Sequence, residues 1–348
     1  MNTDQIYSAQ RQDFFKRLLL FFCLLLLSCF LCGCGSDKKD SPITRSGFAL
    51  DTFITISIYD NEDTALLDEC FAICDAYEKQ LSRTIADSDI GRINAAGGQP
   101  VHVSAETIDL LQKGIDYGEL SDGRFDITIA PASGLWDFTS GHPALPNDSA
   151  IQAALPLISY RNIVLDKEAQ TVTLTNAGSS IDLGGIAKGY IADRIKDYLI
   201  AKGVTSAIID LGGNILTVGS KPDDSGFLIG IKEPFSETGD VLTGVLVRDK
   251  SVVTSGTYQR CFRIDGVLYH HILDPETGYP ADTDLSSITI ISDGSADGDA
   301  LSTICILLGL KDGLAFIESL SDVEAVFVTN NNELYYSSGM DPYLRLHY

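Results

Sequence analysis

The chain has 348 residues and a formal net charge of −23, with 25 Lys and Arg against 48 Asp and Glu. Such an acidic chain argues against nucleic-acid binding and against electrostatic adhesion to anionic lipid, because both partners are polyanions. An anionic ligand would need a cation to help hold it.

The N-terminal segment has the pattern of an export signal. Basic residues around Lys16-Arg17 precede an apolar run, 18–31, which is short for a membrane span and ends just before Cys34. Residues 1–34 resemble a bacterial lipoprotein signal in which Cys34 becomes the lipidated N-terminus, although Cys29 could belong to a competing site. An uncleaved signal anchor is the alternative, and either choice places the body outside the cytoplasm.

Residues 35–45 are predicted to be a flexible tether, and the body from 46 to 348 is long enough for one large domain. The body contains no Cys-x-x-Cys motif. The helical spacing of Cys70 and Cys74 indicates buried thiols rather than a redox or zinc site. Whether Cys261 and Cys305 form a disulfide stays open.

The first half of the body alternates helical and strand patterns. The predicted elements are a strand at 53–59, helices at 64–81 and 104–120, a short strand that Pro131 ends, and a hairpin before Thr175.

The segment 180–193 predicts a strand, a glycine turn and a helix, and the rest of the chain is organised around it. Gly184-Gly185 opens the helix, Lys188 lies in its first turn, and Gly203 is a plausible C-cap. Free N–H groups and the positive end of a helix dipole favour phosphate oxygens at such a junction, which glycines leave open to a ligand. A tight strand-to-helix turn with a solvated lysine is the alternative.

The second half predicts mostly strands, and a hairpin is indicated at Asp265-Gly266. Antiparallel strands mixed with single helices favour an α+β fold, with mixed and mainly antiparallel sheets and packed helices. The predicted strands are 207–218, 226–231, 242–247, 251–255, 287–291, 325–329 and 334–337, the hairpin spans 261–272, and the helices are 299–308 and 311–320.

Asp299 and Thr303 are candidate metal ligands. They lie one helical turn apart, so both oxygens project from the same face, and with a carbonyl oxygen they would suit a hard cation such as Mg²⁺. An ordinary N-cap aspartate is the alternative reading of Asp299, and Asp297 is a local rival for either role.

His270 and His271 are adjacent on a predicted strand, so they face opposite sides and one can enter a site. Histidine moves protons near neutral pH, although a lone strand histidine is often structural. The rigid turn 274–280 after His271 and the Thr254-Ser-Gly256 segment before the hairpin favour His271 as the functional one.

Five sequence blocks together resemble the ApbE family, the FAD:protein FMN transferases. They occur in the family's order and approximate spacing, from about Phe48 to Leu308, behind a lipoprotein signal common in that family. The blocks are Asp122-Gly-Arg-Phe-Asp-Ile-Thr, Ile181-Asp-Leu-Gly-Gly-Ile-Ala-Lys-Gly-Tyr, Thr254-Ser-Gly, His271-Ile-Leu-Asp-Pro-Glu-Thr-Gly-Tyr-Pro and Asp299-Ala-Leu-Ser-Thr303.

This resemblance implies an α+β, ApbE-like fold for 46–348 and a magnesium-dependent, exported enzyme that attaches FMN to a threonine or serine of a partner protein. It implies that the metal is held by the Gly185 carbonyl, Asp299 and Thr303. It also implies an FAD site lined by Leu50, Phe125, Asp126, Asp182, Lys188 and His271.

The chain departs from the family pattern at two places. Leu50-Asp51-Thr52 stands where many members have Met-Gly-Thr, and Arg83-Thr84 stands where many have an aromatic residue that packs on the flavin. The flavin-stacking contact is therefore unassigned from sequence.

We expect transfer of FMN from FAD to a partner hydroxyl, with AMP as the leaving group and His271 as the base. A magnesium-dependent FAD pyrophosphatase and a non-catalytic FAD-binding lipoprotein are the alternatives. The expected partners are FAD and an acceptor flavoprotein subunit of a membrane or exported electron-transfer system. The expected location is the outer face of the cytoplasmic membrane, or the periplasm, by a lipid anchor.

Overall fold

The computed structural model of the chain describes residues 41–139 and 141–345. The predicted signal, Cys34 and the tether up to residue 40 lie outside the described residues. The described residues from Pro42 onward form one compact unit of helices and antiparallel sheets.

The strands of the described residues, in chain order, are β1 (Ile43–Ala49), β2 (Thr52–Ile58), β3 (Val101–His102), β4 (Ile163–Asp166), β5 (Thr171–Leu174), β6 (Ser206–Leu211), β7 (Asn214–Gly219), β8 (Phe227–Lys232), β9 (Val241–Val247), β10 (Ser251–Gly256), β11 (Cys261–Ile264), β12 (Val267–His270), β13 (Leu285–Ser292), β14 (Glu324–Thr329) and β15 (Leu334–Tyr336). The helices are α1 (Ala65–Leu81), α2 (Asp89–Ala95), α3 (Ala105–Leu120), α4 (Ala130–Ser133), α5 (Asp148–Ala154), α6 (Ala187–Ala201) and α7 (Ser295–Glu318), with 3₁₀ turns at Leu155–Leu157 and Tyr160–Asn162.

The scaffold is an eight-stranded antiparallel sheet in the order β1-β2-β6-β7-β10-β13-β14-β15. Alternate residues of neighbouring strands point to one face, so Ile54 pairs with Leu211 and Ile56 with Ile209, all fully buried. Burying each such side chain contributes about 1.5–3 kcal/mol. Helices α1, α6 and α7 pack on this face, and the β8–β9 hairpin belongs to a third apolar cluster with residues of β10, β13 and β14.

The N-terminal turns of α6 and α7 meet closely. Both carboxylate oxygens of Asp193, on α6, accept hydrogen bonds from the first amides of α7, those of Ser295 (2.8 Å) and Ala296 (3.0 Å). A Cβ atom on Gly189 would lie 2.2 Å from the Ser295 carbonyl oxygen, so only glycine permits this approach. One helix therefore supplies the cap of the other, and their positive ends share one place.

Gly189→Ala is expected to destabilise the protein by about 3 kcal/mol or more, because the added methyl meets main-chain atoms that cannot rotate away. The gain in helix propensity is smaller than this clash. Urea unfolding followed by the fluorescence of Trp136 measures the change.

Gly97→Ala is the matched control. Gly97 has a φ of +57° and no atom within 4 Å of an added Cβ, so only the backbone cost of about 1 kcal/mol applies. Equal losses in the two variants would contradict the tight helix contact.

Several predicted elements are confirmed. The Ser104 hydroxyl accepts the Thr107 amide at 3.0 Å and begins α3 as expected. Asp265-Gly266 forms the β11–β12 turn with positive φ at both residues, and Gly203 ends α6 at a φ of +81°. The predicted gap between two C-terminal helices is a kink inside α7 at Gly309, where φ is +73°.

Strand β1 begins at Ile43, so residues 43–45, assigned to the tether from sequence, belong to the sheet. Arg45 anchors this start, since it forms an ion pair with Asp68 and its guanidinium lies 4.1 Å from the centre of the Phe71 ring. Contacts to a distant helix thus decide where the sheet begins.

The strand predicted before Pro131 does not form, apart from one bridge between Ile129 and Ser180. Asp126 accepts hydrogen bonds from the amide and hydroxyl of Thr128 two residues later, and the chain turns into α4. The Asp126 carboxylate thus takes the Thr128 amide, which a β-strand would use to pair with a neighbouring strand.

Helix α7 begins at Ser295, four residues before the start expected from sequence. Asp299 is therefore not its N-cap, and Asp193 from α6 satisfies the first amides. This removes the alternative reading of Asp299 as an ordinary cap.

Within residues 41–139 and 141–345, α7 is long and apolar enough to cross a membrane by length and composition alone. It packs against α6, β10 and β13 and carries the kink at Gly309, as expected of a core helix. Cys261 and Cys305, which could have paired, are both free thiols, as are Cys70 and Cys74.

Candidate active site

The junction of α6 and α7 brings the predicted cation and carboxylate together. Asp299 is 4% exposed; its Oδ2 accepts the Gly189 amide at 3.0 Å, and its Oδ1 lies 3.7 Å from the Lys188 Nζ. A buried carboxylate requires such partners to stay charged. One oxygen is thus fixed by the backbone, while the other faces the lysine.

Thr303 and Gly185 lie beside this carboxylate. Thr303 is one turn after Asp299, and its hydroxyl donates to the Asp299 carbonyl at 3.4 Å. A Cβ atom on Gly185 would be 3.5 Å from the Thr303 Oγ1 and 3.0 Å from the Phe125 ring, which places the glycine against both. The three predicted metal ligands therefore belong to one small region.

This donor set fits a hard cation. It offers a carboxylate, a hydroxyl and a carbonyl oxygen, and Mg²⁺ commonly takes few protein oxygens and keeps water or phosphate in its other positions. The described residues contain no cluster of three or more His, Cys, Asp or Glu that could hold a metal. A site with a single carboxylate does not need one.

Asp297, the rival metal ligand, points to a different partner. Its Oδ1 accepts a hydrogen bond from the Lys113 Nζ of α3 at 3.1 Å. Two residues of a helix are separated by about 200°, so Asp297 and Asp299 face nearly opposite sides. The geometry favours Asp299 for the site.

Asp182 is held by Arg83, which stands where the family resemblance led us to expect an aromatic residue. The Arg83 Nε lies 3.2 Å from the Asp182 Oδ2, which also accepts the Ser133 hydroxyl at 2.8 Å. The Asp182 Oδ1 accepts the Gly184 amide at 3.0 Å. The departure at Arg83 thus places a second cation near the glycine turn, although the guanidinium is only half-buried.

The Asp-Gly-Arg-Phe-Asp block supplies one wall and one turn. The Phe125 ring is buried and makes an edge contact with Tyr117, with ring centres 6.3 Å apart. Asp126 is also buried; its oxygens accept hydrogen bonds from Thr128 and from the Tyr160 amide (2.7 Å), and burial raises the pKa of its carboxyl. In the structure Asp126 orders the segment next to Phe125, and its contact with FAD stays a prediction.

Leu50 lies in the turn between β1 and β2. Leu50 and Asp51 have φ values of +54° and +56°, the left-handed pair that a two-residue hairpin turn requires. The turn is tied to the body from both sides, since the Leu50 amide is 3.4 Å from the Glu78 Oε2 and the Asp51 carbonyl accepts a hydrogen bond from Arg260 (3.0 Å).

The two histidines have different partners. His270 is buried and uses both ring nitrogens: Nε2 donates to the Ala281 carbonyl at 3.2 Å, and Nδ1 accepts the Ile272 amide at 3.3 Å. His271 lies just after β12 and is partly exposed. Its Nδ1 bonds to the Gln259 carbonyl at 3.0 Å and must be the donor, since a carbonyl can only accept. The Nε2 of His271 therefore carries a lone pair, as a base requires.

Transfer rates are expected to be insensitive to the protonation of His271 above about pH 5. Burial lowers the pKa of His271 to about 4; the charges of Arg260 and Lys188 act in the same direction, and the bond to the Gln259 carbonyl opposes them. The neutral base is lost only as the pH falls through this value. The pH dependence of kcat/KM for FAD reports the group in the free enzyme.

An acid limb near pH 6.5, the ordinary value for histidine, would contradict this assignment. Trp136 fluorescence at each pH is the control, because it separates loss of the base from acid unfolding. The stability of the protein should change in the same direction as the rate. Because the pKa of His271 is lower in the folded than in the unfolded state, the free energy of unfolding falls as the pH drops from about 6.5 to about 4.

Sequence reasoning missed four contributors to this site: the Gln259 carbonyl, the Gly189 amide, Arg260 and Asp193. Two of them, the Gln259 carbonyl and the Gly189 amide, are main-chain groups in long-range hydrogen bonds, which leave no residue signature. Asp193 and Arg260 act through charged side chains, but neither lies in a sequence pattern that points to its partner.

Comparison with known proteins identifies the family of the chain. The model of the ApbE family matches residues 50–327. A FAD:protein FMN transferase of Klebsiella pneumoniae is 39% identical over 286 residues, covering 82% of this chain and 88% of the relative. One of Treponema pallidum is 34% identical over 346 residues, covering 93% and 96%.

Solved structures give the same result. The crystal structure of the ApbE protein of Thermotoga maritima has a TM-score of 0.81 at 30% identity, and the alignment covers 88% of this chain and all of the other. The flavin transferase ApbE of Vibrio cholerae has a TM-score of 0.78 at 26% identity, covering 87% and 99%. The α+β fold is therefore confirmed.

Proposed function

The chain belongs to the ApbE family, and on that premise we propose that it transfers FMN from FAD to a threonine or serine hydroxyl of a partner protein and releases AMP. The observation that supports this most directly is the α6–α7 junction, where Lys188, Asp299 and the glycine turn converge. This arrangement can neutralise a pyrophosphate without forming a covalent intermediate with the enzyme.

The reaction requires charge neutralisation and one proton acceptor. The partner's hydroxyl oxygen attacks the FMN phosphorus, the bond between that phosphorus and the bridging oxygen breaks, and AMP leaves with the electron pair. The hydroxyl proton passes to the Nε2 of His271. Lys188 and the positive end of the α6 dipole stabilise the negative charge that spreads over the phosphate oxygens in the transition state.

Mg²⁺ is the cofactor that we propose. The Gly185 carbonyl, Asp299 and Thr303 would hold it, and when bound it would supply Lewis-acid neutralisation of the phosphate oxygens. Asp299 is suited to this because the Gly189 amide fixes one oxygen while the other faces the Lys188 Nζ at 3.7 Å.

FAD would be positioned by the surrounding residues. Phe125 offers an apolar wall beside Gly185, and the Asp182 carboxylate is held by Arg83 and Ser133 near the glycine turn. Leu50 lies in the β1–β2 turn. Arg260, which follows the Gln259 carbonyl that bonds to His271, donates a hydrogen bond to this turn at the Asp51 carbonyl. We propose that these groups orient FAD so that its phosphorus faces His271.

We further propose that the protein is exported and anchored by a lipid on Cys34, at the outer face of the cytoplasmic membrane or in the periplasm. The acceptor would be a flavoprotein subunit of a membrane or exported electron-transfer system. The N-terminal sequence pattern supports the anchor. Mass spectrometry of the mature N-terminus tests it, since an unmodified Cys34 would refute it.

The proposed function is tested by incubating the full chain with FAD and Mg²⁺, with and without a candidate exported flavoprotein subunit. AMP is followed by chromatography and the acceptor by mass spectrometry. AMP release that depends on the acceptor, with an FMN-sized mass gain, is the expected result. AMP and free FMN without acceptor would indicate a pyrophosphatase, and bound FAD without products would indicate a carrier.

A further inference from the structure

The loop between β10 and β11 holds the carbonyl that orients His271. This loop, 257–260, is a tight turn: the Gln259 amide bonds to the Gly256 carbonyl at 3.3 Å, and a Cβ atom on Gly256 would lie 2.3 Å from the Tyr258 ring. The Gln259 carbonyl is left pointing at the His271 Nδ1, 3.0 Å away. Whatever fixes this loop also fixes the imidazole.

Arg260 connects the loop to a second part of the site. Its side chain is exposed, yet its Nη2 donates to the Asp51 carbonyl in the β1–β2 turn at 3.0 Å. Its backbone has a φ of +42°, a left-handed conformation that costs an arginine about 1 kcal/mol. Such a conformation persists only where surrounding contacts hold it.

His270 can serve as an internal reference for the tautomer of His271, because the two neighbouring rings have different hydrogen-bond partners. The His270 Nε2 donates to Ala281 and its Nδ1 accepts from Ile272, whereas the His271 Nδ1 donates to Gln259. The neighbouring rings therefore carry their protons on opposite nitrogens. Burial lowers the pKa of both to about 4, so both are neutral at pH 7.

We propose that Arg260 is a positioning residue for the base. By fastening the Gln259-Arg260 segment to the β1–β2 turn, it keeps the Gln259 carbonyl on the His271 Nδ1 and so keeps the lone pair on Nε2. The role in turnover rests on the proposed function. The tautomer itself depends only on the contacts of the free protein.

The tautomer is measured by ¹⁵N–¹H correlation NMR of the full chain labelled at its five histidines, without FAD. The wild type should show His271 with its proton on Nδ1 and His270 with its proton on Nε2. In Arg260→Ala, His271 should populate both tautomers. His270 should keep its proton on Nε2, and this unchanged signal shows that the variant is folded. Arg260→Lys, which keeps one donor, should restore most of the Nδ1–H form.

Two further variants separate the contact from other effects. Arg260→Gly relieves the left-handed backbone but lacks the guanidinium, so it should behave like Arg260→Ala. Arg263→Ala removes a neighbouring exposed arginine that donates to the Gly266 carbonyl and lies 5.8 Å from the centre of the Phe235 ring, and it should leave His271 as in the wild type. A single Nδ1–H tautomer for His271 in Arg260→Ala and Arg260→Gly overturns the proposal, whatever their activity.

Kinetics gives the second readout. Arg260→Ala should lower kcat for AMP release about tenfold, because the base is disturbed. The KM for FAD should change by less than about twofold, because the β1–β2 turn that carries Leu50 keeps its strand pairing and the contact of the Leu50 amide with Glu78. An unchanged kcat overturns the role in turnover. A wild type that releases no AMP refutes the proposed function instead, and the tautomer result is independent of it.

Discussion

Asp299→Asn is expected to lower AMP release from FAD by about a thousandfold. The amide has the size of the carboxylate but no charge, so the proposed metal site loses the carboxylate of its donor set. Several kcal/mol of neutralisation in the transition state are then lost, and about 4 kcal/mol corresponds to a thousandfold in rate. Single-turnover AMP release at increasing Mg²⁺ measures both the rate and the metal affinity.

Asp297→Asn is a closely matched control. The substitution is the same, on the same turn of α7, and removes the same formal charge, but Asp297 pairs with Lys113 of α3. We expect its rate to stay within about threefold of the wild type, because this half-exposed ion pair with Lys113 lies on the other side of α7 from Asp299. If the two variants lost activity equally, Asp299 would not be the metal ligand.

His271→Asn should reduce kcat by a factor of about 10²–10⁴, the usual contribution of a positioned general base. Asparagine separates the two roles of the histidine. Its side-chain amide can still donate to the Gln259 carbonyl, as the Nδ1 of His271 does, but it has no counterpart of the Nε2 lone pair. The loop is thereby kept and the base removed. The rate of FMN attachment to the acceptor is the measurement.

His270→Asn tests the neighbouring ring. It should lower stability by about 1–3 kcal/mol, since a buried hydrogen-bonding group loses a partner, while turnover by the folded protein is retained. If FMN attachment were equally slow in the two variants, the roles assigned to the histidines would be refuted.

Local patterns predicted several structural features of the candidate site. The one-turn spacing of Asp299 and Thr303, the glycines before Lys188 and the Asp265-Gly266 turn are short-range features, and each appears where its pattern placed it. Periodicity also predicted α1 and α3, because their apolar residues recur at the helical repeat.

The remaining features are set by partners far away in sequence. Asp193 caps a helix more than 100 residues later, and this decided where α7 begins. Asp126 turned a predicted strand aside because it also bonds to Tyr160. The ring orientation of His271 depends on a carbonyl, and every residue carries one, so no sequence pattern identifies it.

The reciprocal capping of α6 and α7 also determines how this region opens. The Gly189 amide is protected by a side chain of α7, and the Ser295 and Ala296 amides by a side chain of α6. Neither first turn can unravel without exposing the donors of the other, so the two exchange their amide hydrogens as one cooperative unit. Partial loosening of the site is thereby avoided, and a ligand that binds at one helix end slows hydrogen exchange at both.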